Sequence, residues 1–200
     1  FESYSDEAGK RKALFAVVDC TGHGVPGAFM SIIGHNALNQ IVKEYNITEP
    51  GRILEKLDEI LQSSLSQKSE HGTIRDGMDI ALCSLDLDSN QLEFAGAFNP
   101  LWIIRDGELL EYKGDKMAIG SGITDNHRYH THEIKLASND RIYIFSDGYA
   151  DQFGGPRGKK FKYNRFKEAL VEMHNDSMKE QHLRLESMLE EWRGDIEQID

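Results

Sequence analysis

Three aspartates sit at positions where a carboxylate has chemistry to do. Asp19 closes the apolar run Ala13 to Val18 and is followed by Cys20-Thr21-Gly22-His23-Gly24. Asp147 follows Ile142-Tyr143-Ile144-Phe145 and precedes Gly148 and Asp151, while Asp200 follows Glu197-Gln198-Ile199 at the C-terminus. A carboxylate at the end of an apolar strand is half desolvated and needs a counter-charge or several hydrogen-bond donors. Two or three of them meeting in one place would repel unless hard cations bridge them. Oxygen-only ligand sets suit magnesium or manganese, which keep waters for chemistry. Read singly, each feature has an ordinary meaning as well. An Asp-Gly after a strand is standard turn chemistry, as at Asp106-Gly107 and Asp76-Gly77. His23 between two glycines could be a turn histidine in solvent, and Thr21 a side-chain-to-backbone bond.

Other site types fit poorly. No Cys-x-x-Cys or His-x-x-x-His occurs, so zinc is not indicated. The phosphate loop Gly-x-x-x-x-Gly-Lys-Ser/Thr is missing, as is Gly-x-Ser-x-Gly. The formal charge of −11, from 23 basic and 34 acidic residues, argues against nucleic acid as a partner. Cys20 and Cys83 lie in apolar stretches and read as small buried hydrophobes, which argues against a disulfide scaffold. No apolar run approaches the roughly 20 residues that span a bilayer, and no secretory signal opens the chain. The expected compartment is the cytoplasm, with no membrane contact by this domain. Arg157, Lys159 and Lys160 read as a solvated basic loop, or as a lure for an anionic substrate.

The elements that must position these residues follow from periodicity. Ala13 to Val18 reads as a buried strand, and Pro26 suits the first turn of a helix reaching Lys43. A second helix is predicted from Ile53 to Leu65, where the leucines and isoleucines follow the 3.6-residue period. Asp79 to Leu85 and Gln91 to Ala95 read as paired strands, and Leu101 to Arg105 and Glu108 to Tyr112 as a hairpin about Asp106-Gly107. Strands are predicted at His130 to Leu136 and Arg141 to Phe145, with a loop from Ser121 to Tyr129 between hairpin and strand. A glycine-rich loop with Gly154, Gly155 and Gly158 follows Asp147, and helices follow near Asn164 to Met173 and Met178 to Trp192. Central strands with helices on either side predict an α+β fold.

Together the motifs resemble a known family. Ala16-Val17-Val18-Asp19-Cys20-Thr21-Gly22-His23-Gly24-Val25-Pro26-Gly27-Ala28-Phe29-Met30-Ser31 is similar to the first metal motif of the SpoIIE/RsbU-type phosphatases, the bacterial branch of the metal-dependent PP2C-like superfamily. Ser146-Asp147-Gly148-Tyr149-Ala150-Asp151-Gln152-Phe153-Gly154-Gly155 resembles the second motif, and Trp192 to Asp200 the approach to the last. Asp76-Gly77-Met78-Asp79-Ile80-Ala81-Leu82 and Ala95-Gly96-Ala97-Phe98-Asn99-Pro100-Leu101 also fit, in the right order.

The resemblance implies a β-sandwich of two mainly antiparallel sheets flanked by helical layers, with two or more Mn2+ or Mg2+ ions at one edge. Asp19, Asp147 and Asp200 would supply carboxylates and Cys20 its carbonyl, with Asp151 behind them or at a third ion. It implies hydrolysis of phosphoserine or phosphothreonine on a partner such as an anti-sigma-factor antagonist, under an upstream sensor or regulatory domain. Thr21 stands where animal and plant relatives often carry an acid histidine, so that role is not transferred to His23. Residues 1–200 are expected to form a single domain, the output domain of a larger protein, lacking a first strand region and a last strand. Two rivals share the same residues: a catalytically silent binding module, and a hydrolase of small phosphate esters.

Overall fold

The computed structural model describes residues 2–5, 11–22, 24–66, 77–121 and 128–198. Its strands are β1 (Glu2–Ser5), β2 (Arg11–Cys20), β3 (Met78–Asp86), β4 (Gln91–Ala97), β5 (Leu101–Arg105), β6 (Glu108–Tyr112), β7 (His132–Lys135), β8 (Arg141–Ile144), β9 (Phe153–Gly154) and β10 (Lys159–Lys160). Its helices are α1 (Gly24–Lys43), α2 (Pro50–Ser66), α3 (Gly148–Asp151), α4 (Tyr163–Glu172) and α5 (Met178–Arg193). One sheet has the order β1-β2-β3-β4-β7 and a second the order β6-β5-β8, with antiparallel pairing throughout.

The layering follows from strands that are apolar on both faces, as sheets covered on both sides require. Along β3, Ile80 and Leu82 join one core cluster with Leu14 of β2, Met30 and Ile41 of α1, and Leu54 and Leu57 of α2. The alternate residues Ala81 and Cys83 join a second cluster with Phe94, Leu101 and Ile103, between the two sheets. On β5 the same alternation sends Trp102 and Ile104 outward to a third cluster with Phe166 and Leu170 of α4. Three clusters fill three interlayer spaces, giving the order helix, sheet, sheet, helix. The expected α+β sandwich is the observed one.

Local chemistry explains most boundaries. Asp106 (φ 50°) and Gly107 (φ 82°) both take positive φ, the turn that joins β5 to β6 without splaying them. Helix α2 begins at Pro50, earlier than the leucine period shows, because proline is tolerated in the first turn. The glycine-rich segment after Asp147 departs from the expected loop. It forms α3 and the small β9–β10 hairpin. Gly154 is there for close approach: a Cβ would stand 1.9 Å from the Trp192 carbonyl oxygen. Gly155 N–H donates to that oxygen at 2.7 Å, docking the hairpin on the end of α5. Most of the predicted Ser121 to Tyr129 loop, and Phe1, lie outside the described residues. Among the described residues no helix is long and apolar enough to cross a membrane.

Candidate active site

The site end of the sandwich is set by strand register. Asp19 on β2 lies directly opposite Asp79 on β3. By the two-residue alternation Asp79 shares the inter-sheet face of Ala81 and Cys83, and Asp19 that of Phe15. Like charges facing each other across an antiparallel pair are destabilising. Asp147 arrives from the other sheet, three residues beyond the end of β8, and caps α3 without a side-chain hydrogen bond to it. The three carboxylates share one field. Burial, then Asp147, then Asp19 push the Asp79 carboxyl up to about 6.

The rest of the site hangs on this group. Tyr163, at the start of α4, is pushed up to about 12 by burial and by the charges of Asp147, Asp151, Asp79 and Asp19. Asp151 pairs with Lys160 at 2.5 Å, and the lysine remains solvent-exposed, as expected of this basic segment. Thr21 pins the turn after Asp19 to the start of β3. Its N–H donates to the Gly77 oxygen at 2.9 Å, and its hydroxyl accepts from the Gly77 N–H at 2.6 Å. Cys20 turns its thiol away from the carboxylates, toward α1, where the Ser31 hydroxyl donates to it at 3.5 Å. Cys83 is buried and its thiol is pushed well up by desolvation, so it is inert.

Of the residues singled out in the sequence, Asp19 and Asp147 are brought together and Asp151 joins their field. Asp200 and His23 lie outside the described residues. Asp79 was not assigned a role from sequence. Its signal was an acid heading a strand buried on both faces, in the stretch Asp76 to Leu82. Among the described residues no three His, Cys, Asp or Glu close into a ready cage for a metal ion. The donor set itself, half-buried carboxylates of like charge drawn from two sheets, has the chemistry that a hard divalent cation satisfies.

Two expected outcomes follow. Asp79 binds its proton more tightly folded than unfolded, so in metal-free protein its contribution worsens as pH rises from about 4 to 6 and the cost is full above that. Asp79→Asn should therefore stabilise metal-free protein at pH 7.5 by about 1 kcal/mol after solvent screening, and hardly at pH 4. Thermal melts in chelator at the two pH values check this. Gly27→Ala should destabilise despite alanine's helix preference, because a Cβ would stand 2.4 Å from the Gly22 backbone oxygen. The melting temperature should fall by about 2–10 °C, and the turn carrying Asp19 should shift with it.

Comparison with solved structures places this architecture in a class. The SiaA-PP2C domain of Pseudomonas aeruginosa is 34% identical with a TM-score of 0.83, the match covering 98% of this chain and 74% of that one. The PP2C phosphatase domain of SpoIIE from Bacillus subtilis, solved with a fragment of its regulatory domain, is 19% identical (TM-score 0.68; 94% of this chain, 52% of that one). The RsbU and RsbW domains of a Mycobacterium tuberculosis protein are 18% identical (TM-score 0.70; 95% and 49%). These last two share the fold, and the chain spans about half the length of each. A comparison with curated proteins finds no match. The class is the PP2C-type phosphatase domain. Within it, the chain belongs to the Stage II sporulation protein E (SpoIIE) family, whose profile matches residues 9–200.

Proposed function

We propose that this chain is a manganese- or magnesium-dependent protein serine/threonine phosphatase, the output domain of a longer signalling protein. The observation that carries the reading is the convergence of Asp19, Asp79 and Asp147 from two sheets, where burial and then the two neighbouring charges lift the Asp79 carboxyl to about 6. Such a group is costly alone and favourable around hard cations. Asp19, Asp79 and Asp147 would hold the ions, with the Cys20 carbonyl and Asp200 completing the set and Asp151 at its margin. Bound there, the ions supply an acidified water and neutralise charge on the phosphoryl oxygens.

The chain's own residues do the rest. Tyr163, a phenol neutral at pH 7 in any case, is held further from ionisation by burial and then by the four carboxylates, so its hydroxyl can donate to an oxygen of the substrate or of water. Lys160 neutralises Asp151 and limits the negative charge an incoming phosphate meets. Attack by water requires no covalent phosphoenzyme, and no activated serine or cysteine is needed. The substrate we infer is a phosphoserine or phosphothreonine on a signalling partner of the anti-sigma-factor antagonist type. Support comes from the family and from neighbours that carry RsbW or regulatory domains beside the phosphatase domain.

Substrate class is tested by comparing manganese-supported turnover of a phosphoserine protein and of p-nitrophenyl phosphate. The expected result is a much higher kcat/KM on the protein. Preference for the small ester would reassign the domain to small-molecule hydrolysis.

A further inference from the structure

Basic charge is concentrated in one stretch. Between Gln152 and Lys167 stand six of the chain's 23 basic residues and no acid, in a chain of net charge −11. Three of the six are engaged. Lys160 pairs with Asp151 at 2.5 Å and Lys167 with Glu111 at 2.9 Å, and the Arg165 guanidinium lies 4.4 Å from the centre of the Trp192 ring. Arg157, Lys159 and Lys162 are exposed, and among the described residues their side chains make no hydrogen bond or ion pair.

The backbone under these charges is pinned. Gly158 N–H donates to the Gly155 oxygen at 3.1 Å, Phe161 N–H to the Gln152 oxygen at 2.9 Å and Lys162 N–H to the Ala150 oxygen at 2.7 Å. The Trp192 indole N–H adds a bond to the Gln152 oxygen at 3.1 Å, so α5 buttresses the hairpin from behind. The same bonds set the stretch against the carboxylates. Ala150 lies in α3, the helix that follows Asp147 and ends at Asp151. Lys159 adjoins Lys160, whose ammonium touches Asp151. Lys162 directly precedes Tyr163, which sits in the field of Asp19, Asp79, Asp147 and Asp151. Charges act over roughly 8 Å at physiological ionic strength, so the three cations overlook the mouth of the site.

We propose that Arg157, Lys159 and Lys162 form the docking surface for the phosphoprotein substrate, recognising acidic side chains that flank its phosphoserine. This rests on the phosphatase reading above. The acidic chain repels an acidic partner over most of its surface, so this stretch sets how the partner lands. An anionic membrane would meet the same charges, but pressed against them it would cover the carboxylates. A peptide segment can lie across the hairpin and still present its phosphate to the site.

The test compares manganese-supported turnover of two phosphoserine peptides, one flanked by glutamates and one by glutamines, with p-nitrophenyl phosphate as a small-ester control. Wild type and the double variant Arg157→Ala/Lys159→Ala are assayed at low salt and at about 0.5 M sodium chloride. In wild type at low salt the glutamate peptide should have the lower KM, by about 3- to 20-fold, at similar kcat. The double substitution or the salt should erase that preference, and the substitution should leave small-ester turnover and the melting temperature unchanged. A preference that survives the double substitution overturns the proposal, as does its absence from wild type. So does a loss shared by p-nitrophenyl phosphate, which marks damage to the site itself. Phosphatidylglycerol vesicles that bind wild type and not the variant, with the peptide preference unmoved, would reassign the stretch to a membrane surface. If wild type cleaves both peptides equally, the phosphatase reading stands without this docking surface. If it cleaves only the small ester, both fall.

Discussion

Asp147→Asn is expected to lower phosphate release by well over 100-fold while the chain stays folded. Loss of a residue that merely supports a metal ligand commonly costs about 10–100-fold, and a ligand should cost more. The fold should survive because the Asp147 side chain makes no capping bond to α3, and the backbone bond from Asp151 N–H to the Asp147 oxygen (2.8 Å) is untouched. Removing its charge also relieves Asp79, for which Asp147 is the larger of the two charged neighbours. The variant should thus melt higher than wild type in chelator and lose that advantage in manganese. Activity assays beside melts with and without metal separate this from general damage. Unchanged turnover would remove Asp147 from the metal assignment.

The second large effect is on stability. Trp102 is fully buried on the outer face of β5, its ring centroid 4.3 Å from Phe145, 5.4 Å from Phe166 and 6.0 Å from Tyr163. Its indole N–H donates to Glu111 Oε1 at 3.0 Å, and Lys167 Nζ lies 5.0 Å from the ring. Trp102→Ala should cost about 3–5 kcal/mol, lowering the melting temperature by about 6–20 °C. The damage reaches the site. Phe145 lies two residues before Asp147, and Tyr163 sits in the carboxylate field, so manganese affinity should fall along with stability. Trp102→Phe keeps much of the packing and should lose far less on both counts. Thermal melts and manganese titrations of the two variants check the order.

What could be read from the sequence divides along a physical line. Local chemistry was legible. The Asp106-Gly107 turn, the leucine period of α2 and the run ending at Asp19 each mark their element through neighbours in the chain. Non-local pairing was not. Strands buried on both faces carry no alternation to say which face meets which layer, so the separation of β5, β6 and β8 into their own sheet had no local signature. Asp79 escaped for the same reason: its meaning lies in standing opposite Asp19, a partner some sixty positions away. Gly154 and Gly155 read as loop residues because the Trp192 backbone that presses on them comes from a later helix. Lys160 is solvated as its sequence context suggests, but its pairing with Asp151 has no local signature, because the β9–β10 hairpin brings the two together.

The central claim is that these converging carboxylates hold divalent metal for the hydrolysis of a phosphoprotein. Its most direct test is phosphate release from a phosphoserine protein by this chain, with manganese and with chelator in parallel. Release should require manganese, stop in chelator and return when the metal is restored. Release that is indifferent to chelator, or no release from a chain that demonstrably binds manganese, would contradict it, and the latter would favour a phosphatase fold that grips its partner without turnover.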